Sequence, residues 1–149
     1  MEFSDAVRSV RQYGALNTLT DFGLRAANRV VFFKILKCIK IDKVNAEFLK
    51  CDDRFRGAFL DRATLTEFTK TPEYELSKEF LDKAFAKGDE CYGFLDGNRL
   101  AAYGWYSNKP TEIGERGLIL SFDPRYIYMY KGFTHTDYRG KRLHAVGML

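Results

Sequence analysis

Cysteine, histidine and tryptophan are scarce, with three, two and one copies in 149 residues. Cys38, Cys51 and Cys91 are odd in number and far apart, and no CxxC occurs. His135 and His144 lie nine residues apart with no cysteine near them. The spacing offers no zinc site, and the odd count offers no disulfide framework. No metal is expected, and a reducing cytoplasmic setting fits.

Long apolar runs are missing as well. Residues 1–14 are charged and amphipathic, without the apolar core of a signal peptide. The greasiest stretch, VVFFKILKCIKI at 30–41, is broken by Lys34, Lys37 and Lys40. It is too short and too charged to span a bilayer. It reads as a buried strand with lysines at its margins, or as a basic segment touching a membrane surface. An excess of one charge is also lacking: 24 Lys and Arg face 20 Asp and Glu, for a net +4. Nucleic-acid binders carry a denser basic stripe, so no nucleic-acid partner is expected. A pocket for a small anion needs only a few of these cations. Repeats and low-complexity tracts are absent.

Aromatic residues are plentiful at 15 %, with 13 Phe and 9 Tyr. The length suits one domain with a real core. Residues 2–12 suit a short helix ended by Gly14 and Asn17. Leu24, Ala27 and Val31 predict a helix over about 20–31. From Phe33 to Ile41 the apolar residues alternate as in a strand. Thr64 to Phe68 form a short helix, and Pro72 makes a turn. SKEFLDKAFAKG at 77–88 is the clearest helix, with Ser77 as N-cap, Phe80, Leu81, Ala84 and Phe85 on one face, and Gly88 as the stop.

Two β-rich runs flank Asp96-Gly97-Asn98 and predict an antiparallel hairpin over 90–95 and 99–106. A polar loop follows at 108–117, then a short strand in LILSFD. In RYIYMYKGF the side chains alternate strictly. Tyr126, Tyr128 and Tyr130 face one way, and Ile127, Met129, Lys131 and Phe133 the other. Gly132 hints at a bulge. The fold class is α/β (α+β): a mixed, mostly antiparallel sheet flanked by helices.

After that strand comes HTDYRGKRLHA at 135–145, a loop opening a helix. Amides unpaired in a helix's first turn hold phosphate groups. Arg139, Lys141 and Arg142 add positive charge there, and Gly140 lets backbone approach a ligand. A basic loop capping a helix is the plainer alternative.

Strand, loop and helix together, preceded by two helices and a hairpin, resemble the acyl-CoA-binding segment of the GNAT N-acetyltransferases. The family pattern is Arg/Gln-x-x-Gly-x-Gly/Ala after an aromatic residue. Arg139 and Gly140 agree with it, while Arg142 and His144 stand at its two small-residue positions. The resemblance covers about 55–149. It implies acetyl-CoA, or another acyl-CoA, as co-substrate and an amine as acceptor. The pyrophosphate would sit at Arg139, Gly140, Lys141, Arg142 and Leu143, and the pantetheine arm along Phe133, Thr134 and His135.

Some family members place a glutamate about eleven residues before the arginine landmark. Tyr128 stands there and is the expected acceptor-contacting residue. Asp123, Glu112 and Glu115 are alternative carboxylates, and Cys91 is expected in the core. Residues 1–50 then read as a helical extension plus a first strand, and 51–149 as the N-terminal half of such a domain. On this reading the chain is a fragment of a longer enzyme, or one that a second chain completes. A different class remains open: a non-catalytic assembly module that uses an open sheet edge and the basic segment 25–43 to form a homodimer or meet an anionic surface.

Overall fold

A computed structural model describes residues 14–27, 39–114 and 117–148. The chain divides into two units, Met1–Lys40 and Ile41–Leu149. Within the first, helix α1 spans Ala15–Ala27. Gly14 sits just before it at φ +84°, a conformation that glycine adopts without steric cost. The helix starts five residues before the expected Thr20, because Asn17 falls in the first turn, where it does not break a helix. Thr20 bonds back to the Leu16 carbonyl at 2.8 Å. The expected helix at 2–12 and most of the expected strand at 33–41 lie outside the described residues.

In the second unit the sheet and its helices follow in chain order: β1 (Arg56–Phe59), α2 (Arg62–Phe68), α3 (Lys78–Lys87), β2 (Glu90–Asp96) and β3 (Arg99–Ser107). A two-strand ribbon, β4 (Thr111–Glu112) with β5 (Ile119–Leu120), interrupts the path to β6 (Tyr128–Thr134). Helix α4 (Leu143–Gly147) follows. The four main strands pair antiparallel in the order β1-β2-β3-β6. This is an α+β architecture, and among the described residues every strand pairing is antiparallel, with no parallel pair to make the sheet mixed. Among the described residues, no helix is long and apolar enough to cross a membrane.

Local chemistry explains the boundaries. Asp61 starts α2 by accepting from the Thr64 amide at 2.8 Å, and Ser77 starts α3 by accepting from Phe80 at 3.1 Å. Gly88 ends α3 in the left-handed region at φ +87°. Residues 39–45 take no regular structure, and a 3-10 turn follows at Ala46–Leu49.

Cross-strand partners share a face, so the two faces of the sheet can be read from the register. One face carries Cys91, Tyr103 and Trp105, packed against Leu65 of α2 and Leu81 and Ala84 of α3. Phe80 and Phe85 meet Trp105 edge-on at centroid distances of 5.2 and 5.3 Å. The other face carries Phe94 and Ala102, covered by Phe55, Tyr138 and Leu143. Burying one such side chain contributes roughly 1.5–3 kcal/mol. Leu65 is fully buried. Leu65→Ala should therefore lower stability by about 2–5 kcal/mol in urea unfolding, with the m-value unchanged.

Candidate functional site

Strand β6 carries one residue too many. Trp105 pairs with Lys131 and Tyr106 with Met129, so Tyr130 has no partner on β3. A bulge of this kind puts two successive residues on one face. Tyr130 therefore joins Lys131 and Phe133 above the α3 face, where strict alternation would set Tyr130 opposite them. Phe133 stacks on Tyr103 at 5.2 Å, and Tyr130 lies 6.4 Å from Phe80. The bulge is two residues before Gly132, the residue whose lack of a side chain hinted at it.

Beyond β6 the sheet has no further strand among the described residues. Antiparallel ladders turn alternate residues inward. The His135 amide donates to the Ala101 carbonyl at 3.0 Å, which fixes the phase. Phe133 and Lys131 then also spend their backbone groups on β3, and Thr134 and Gly132 present theirs to the open edge. Of Phe133, Thr134 and His135, Thr134 is the one facing outward, and Gly132 joins it.

The strand runs into a loop held at both ends. His135 is 6 % exposed; its Nδ1 accepts from the Asp137 amide at 3.2 Å, and its Nε2 lies 3.5 Å from Glu73. Arg99 bonds Asp137 at 2.8 Å and holds that carboxyl below its usual range. Tyr138 is buried beside Phe55, at 5.8 Å edge-on. Between these anchors Arg139, Gly140, Lys141 and Arg142 are all exposed. Gly140 and Arg142 both take positive φ, +79° and +62°. Among the described residues, no backbone acceptor receives the amides of Gly140, Arg142, Leu143 or His144, and Arg139 and Arg142 have no carboxylate partner. Such a turn, with cations beside unpaired amides, is chemically suited to an oxyanion. The Arg142 guanidinium lies over the Phe48 ring at 4.9 Å, and Lys141 stays near Phe55 and Tyr138 at 5.7 and 5.5 Å.

Helix α4 packs on the face of β6 rather than on its edge. Gly104 and Gly132 are cross-strand partners there. A methyl group at Gly132 would meet His144 Cε1 at 2.4 Å, and one at Gly104 would meet the Tyr106 hydroxyl at 2.7 Å. Tyr106 donates to the Gly147 carbonyl at 2.5 Å. The cavity left under α4 is about 10 Å³, room for one water at most. Leu143 is buried and anchors the helix. A ligand of β6 must therefore use the edge, and His144 does not cover that direction.

Tyr128 stands at the other end of β6, paired with Ser107 and edge-on to Phe122 at 5.7 Å. Asp123 is held by Arg125 at 2.6 Å, and Glu112 lies in β4. Glu115 is outside the described residues. A separate polar cluster lies behind the bulge. Tyr130 donates to Asp89 at 2.8 Å, and the Lys87 ammonium lies 3.0 Å from the same carboxylate oxygen. Burial and the Asp89 carboxylate push the Tyr130 phenol up. Asp89 was not among the expected site residues. Its signal lay in the alternation of β2: carried back past Cys91, the two-residue period puts Asp89 on the core face.

Among the described residues, no cluster of His, Cys, Asp or Glu can hold a metal ion. An open groove of about 440 Å³, lined by Glu67, Phe68, Tyr74 and Leu95 among others, lies by the β2–β3 turn. That turn is the end of β3 opposite Ser107, hence remote from Tyr128. Searches against family models, curated proteins and solved structures return no match.

Gly132→Ala should cost about 1–3 kcal/mol in urea unfolding. His144→Ala in the same chain should recover part of that loss, because the two positions collide directly. Cys91 is 1 % exposed, and burial pushes its thiol up to about 12. In a Cys38→Ser/Cys51→Ser background, a thiol reagent at pH 8 should leave the folded protein unlabelled and label it in urea. The sign of the pH effect is fixed as well. The unfolded chain loses this proton near 9.0 and the folded one near 12, so stability declines as pH rises through that window.

Proposed function

We propose that the domain binds an acyl-CoA and transfers its acyl group to an amine, in the manner of the GNAT N-acetyltransferases it resembles. The observation that carries this reading is one continuous feature: a bulged strand with an open edge that runs into an exposed cationic turn. The residues fit the cofactor. Arg139, Gly140, Lys141, Arg142 and Leu143 would hold the pyrophosphate with side-chain charge and unpaired amides. Thr134, with Gly132, would pair with the pantetheine amides, and Phe133 and His135 brace that strand from within the sheet. The cofactor supplies an activated thioester. The protein's part is to align that carbonyl with a neutral amine and to stabilise the charge that develops on its oxygen. Tyr128 would contact the acceptor as a hydrogen-bond partner.

A cytoplasmic location suits this reading, and among the described residues Cys51 and Cys91 form no disulfide. The same open edge supports a second reading. A non-catalytic module that pairs β6 with a second copy of itself would bury Thr134 and Gly132 in a continuous sheet.

Acetyl-CoA binding to the folded state should raise the melting temperature, by an amount equivalent to roughly 2.7 kcal/mol at a hundredfold excess over Kd. Arg139→Ala/Lys141→Ala should remove most of the shift. No shift at millimolar acetyl-CoA in folded protein would end the acyltransferase reading. A dimer on gel filtration that ignores acetyl-CoA would favour the assembly module.

A further inference from the structure

We propose that Asp89 is a positioning residue: by anchoring the Tyr130 hydroxyl it holds the bulge in β6, and so sets which backbone groups the open edge presents. The part of this that concerns ligand rests on the acyl-CoA reading; the part that concerns the strand does not.

Asp89 follows directly on the glycine that ends α3, and its amide donates to the Ala84 carbonyl at 3.0 Å. The carboxylate is thus fixed to the end of a helix and not to a loop tip. The residue is 4 % exposed, and its Oδ1 is buried with no partner among the described residues. Oδ2 carries both contacts, with Tyr130 Oη at 2.8 Å and Lys87 Nζ at 3.0 Å. A carboxylate desolvated this far, with one oxygen unmatched, is costly. An apolar side chain would fill the place at lower cost, but it could not fix a phenol hydroxyl.

The rest of the cluster points the same way. Lys87 also reaches Thr111 Oγ1 at 3.0 Å, and its ammonium lies 4.8 Å from the Tyr130 ring centroid. The phenol is therefore held at its tip by Asp89 and across its ring by Lys87. Tyr130 is the one residue of β6 that β3 leaves unpaired. A bulge gives up a rung of the ladder and leaves the extra residue unpaired, so an anchor outside the ladder acts directly on which residue that is. If Tyr130 returned to the ladder, the residues on one side of it would change face and exchange inward for outward backbone groups.

The test uses the whole chain and two readouts. Tyr130→Phe removes the hydroxyl alone. Amide hydrogen exchange at Lys131 and Phe133, whose amides face β3, should rise about tenfold or more, while the amides that bond β2 to β3 stay within about twofold. Asp89→Leu should reproduce that pattern, and Asp89→Asn, which keeps an acceptor oxygen, should restore most of the protection. If Asp89→Leu does not fold, Tyr130→Phe with Asp89→Asn decides. No change at β6, or a rise shared by β2, β3 and β6, overturns the claim. In parallel, Tyr130→Phe should weaken acetyl-CoA binding by about tenfold in a protein whose β2–β3 protection is intact. Equal binding by wild type and variant overturns the ligand part. A wild type that binds no acetyl-CoA overturns the acyl-CoA reading and that part with it, while the exchange pattern still decides whether Asp89 holds the bulge.

Discussion

Tyr130 has no partner across the ladder, and much of the open side of the sheet follows from that missing rung. With the extra residue in place, Tyr130, Lys131 and Phe133 all lie over α3, where Phe80 and Trp105 supply ring contacts. The same step in register fixes the phase of the last four residues of β6. Phe133 then stacks on Tyr103, the His135 amide reaches Ala101, and Thr134 is left facing out. The position of one residue in the strand thus decides both what fills the core and what the edge offers.

The two faces solve their packing differently. The α3 face is built from large rings and branched chains, and two full helices cover it. The opposite face carries Phe94 and Ala102, and under α4 it has only Gly104 and Gly132, which leave room for the Tyr106 and His144 side chains. That allows a helix of five residues to cap it. So short a helix has no independent stability. It persists because Leu143 is buried and the Tyr106 hydroxyl holds the Gly147 carbonyl. The exposed turn at 139–142 is held from both sides, by Tyr138 before it and Leu143 after it.

What could be read in the sequence depended on whether the signal was local. Asp96-Gly97-Asn98 fixes its hairpin within a few residues. Ser77 and Gly88 fix α3 through capping bonds that they make themselves. The bulge is different. The alternation from Tyr126 to Phe133 is perfect in the sequence, and nothing local breaks it at Tyr130. The contacts made at the break are distant in sequence: Tyr130 bonds Asp89, 41 residues earlier, and Lys131 pairs with Trp105. Gly132 drew attention for the right strand but the wrong reason: its missing side chain makes room for His144. Arg142 and His144 likewise read as departures from a small-residue pattern. In the structure one takes a left-handed turn, and the other lies on the face of the strand and leaves the edge clear.

Length is the remaining constraint on what this edge can hold. Six residue steps separate Tyr128 from Thr134 in β6, roughly 20 Å at strand spacing. The cationic turn lies past Thr134, beyond the other end of the strand from Tyr128. An isolated phosphate or a short nucleotide would touch the turn and leave the strand unused. A ligand with an anionic head and a thin, amide-bearing arm would meet the turn, the outward groups of Thr134 and Gly132, and then the bulge. On the proposed reading each of these is required at once: charge at the turn, hydrogen bonds in register along the edge, and a bend where the reacting carbonyl stops. A strand pairing with a second copy of itself asks for the edge but makes no use of the turn, whose exposed arginines would then have no assigned role. The charge placed next to the ladder is therefore what favours a ligand over a strand as the partner of β6.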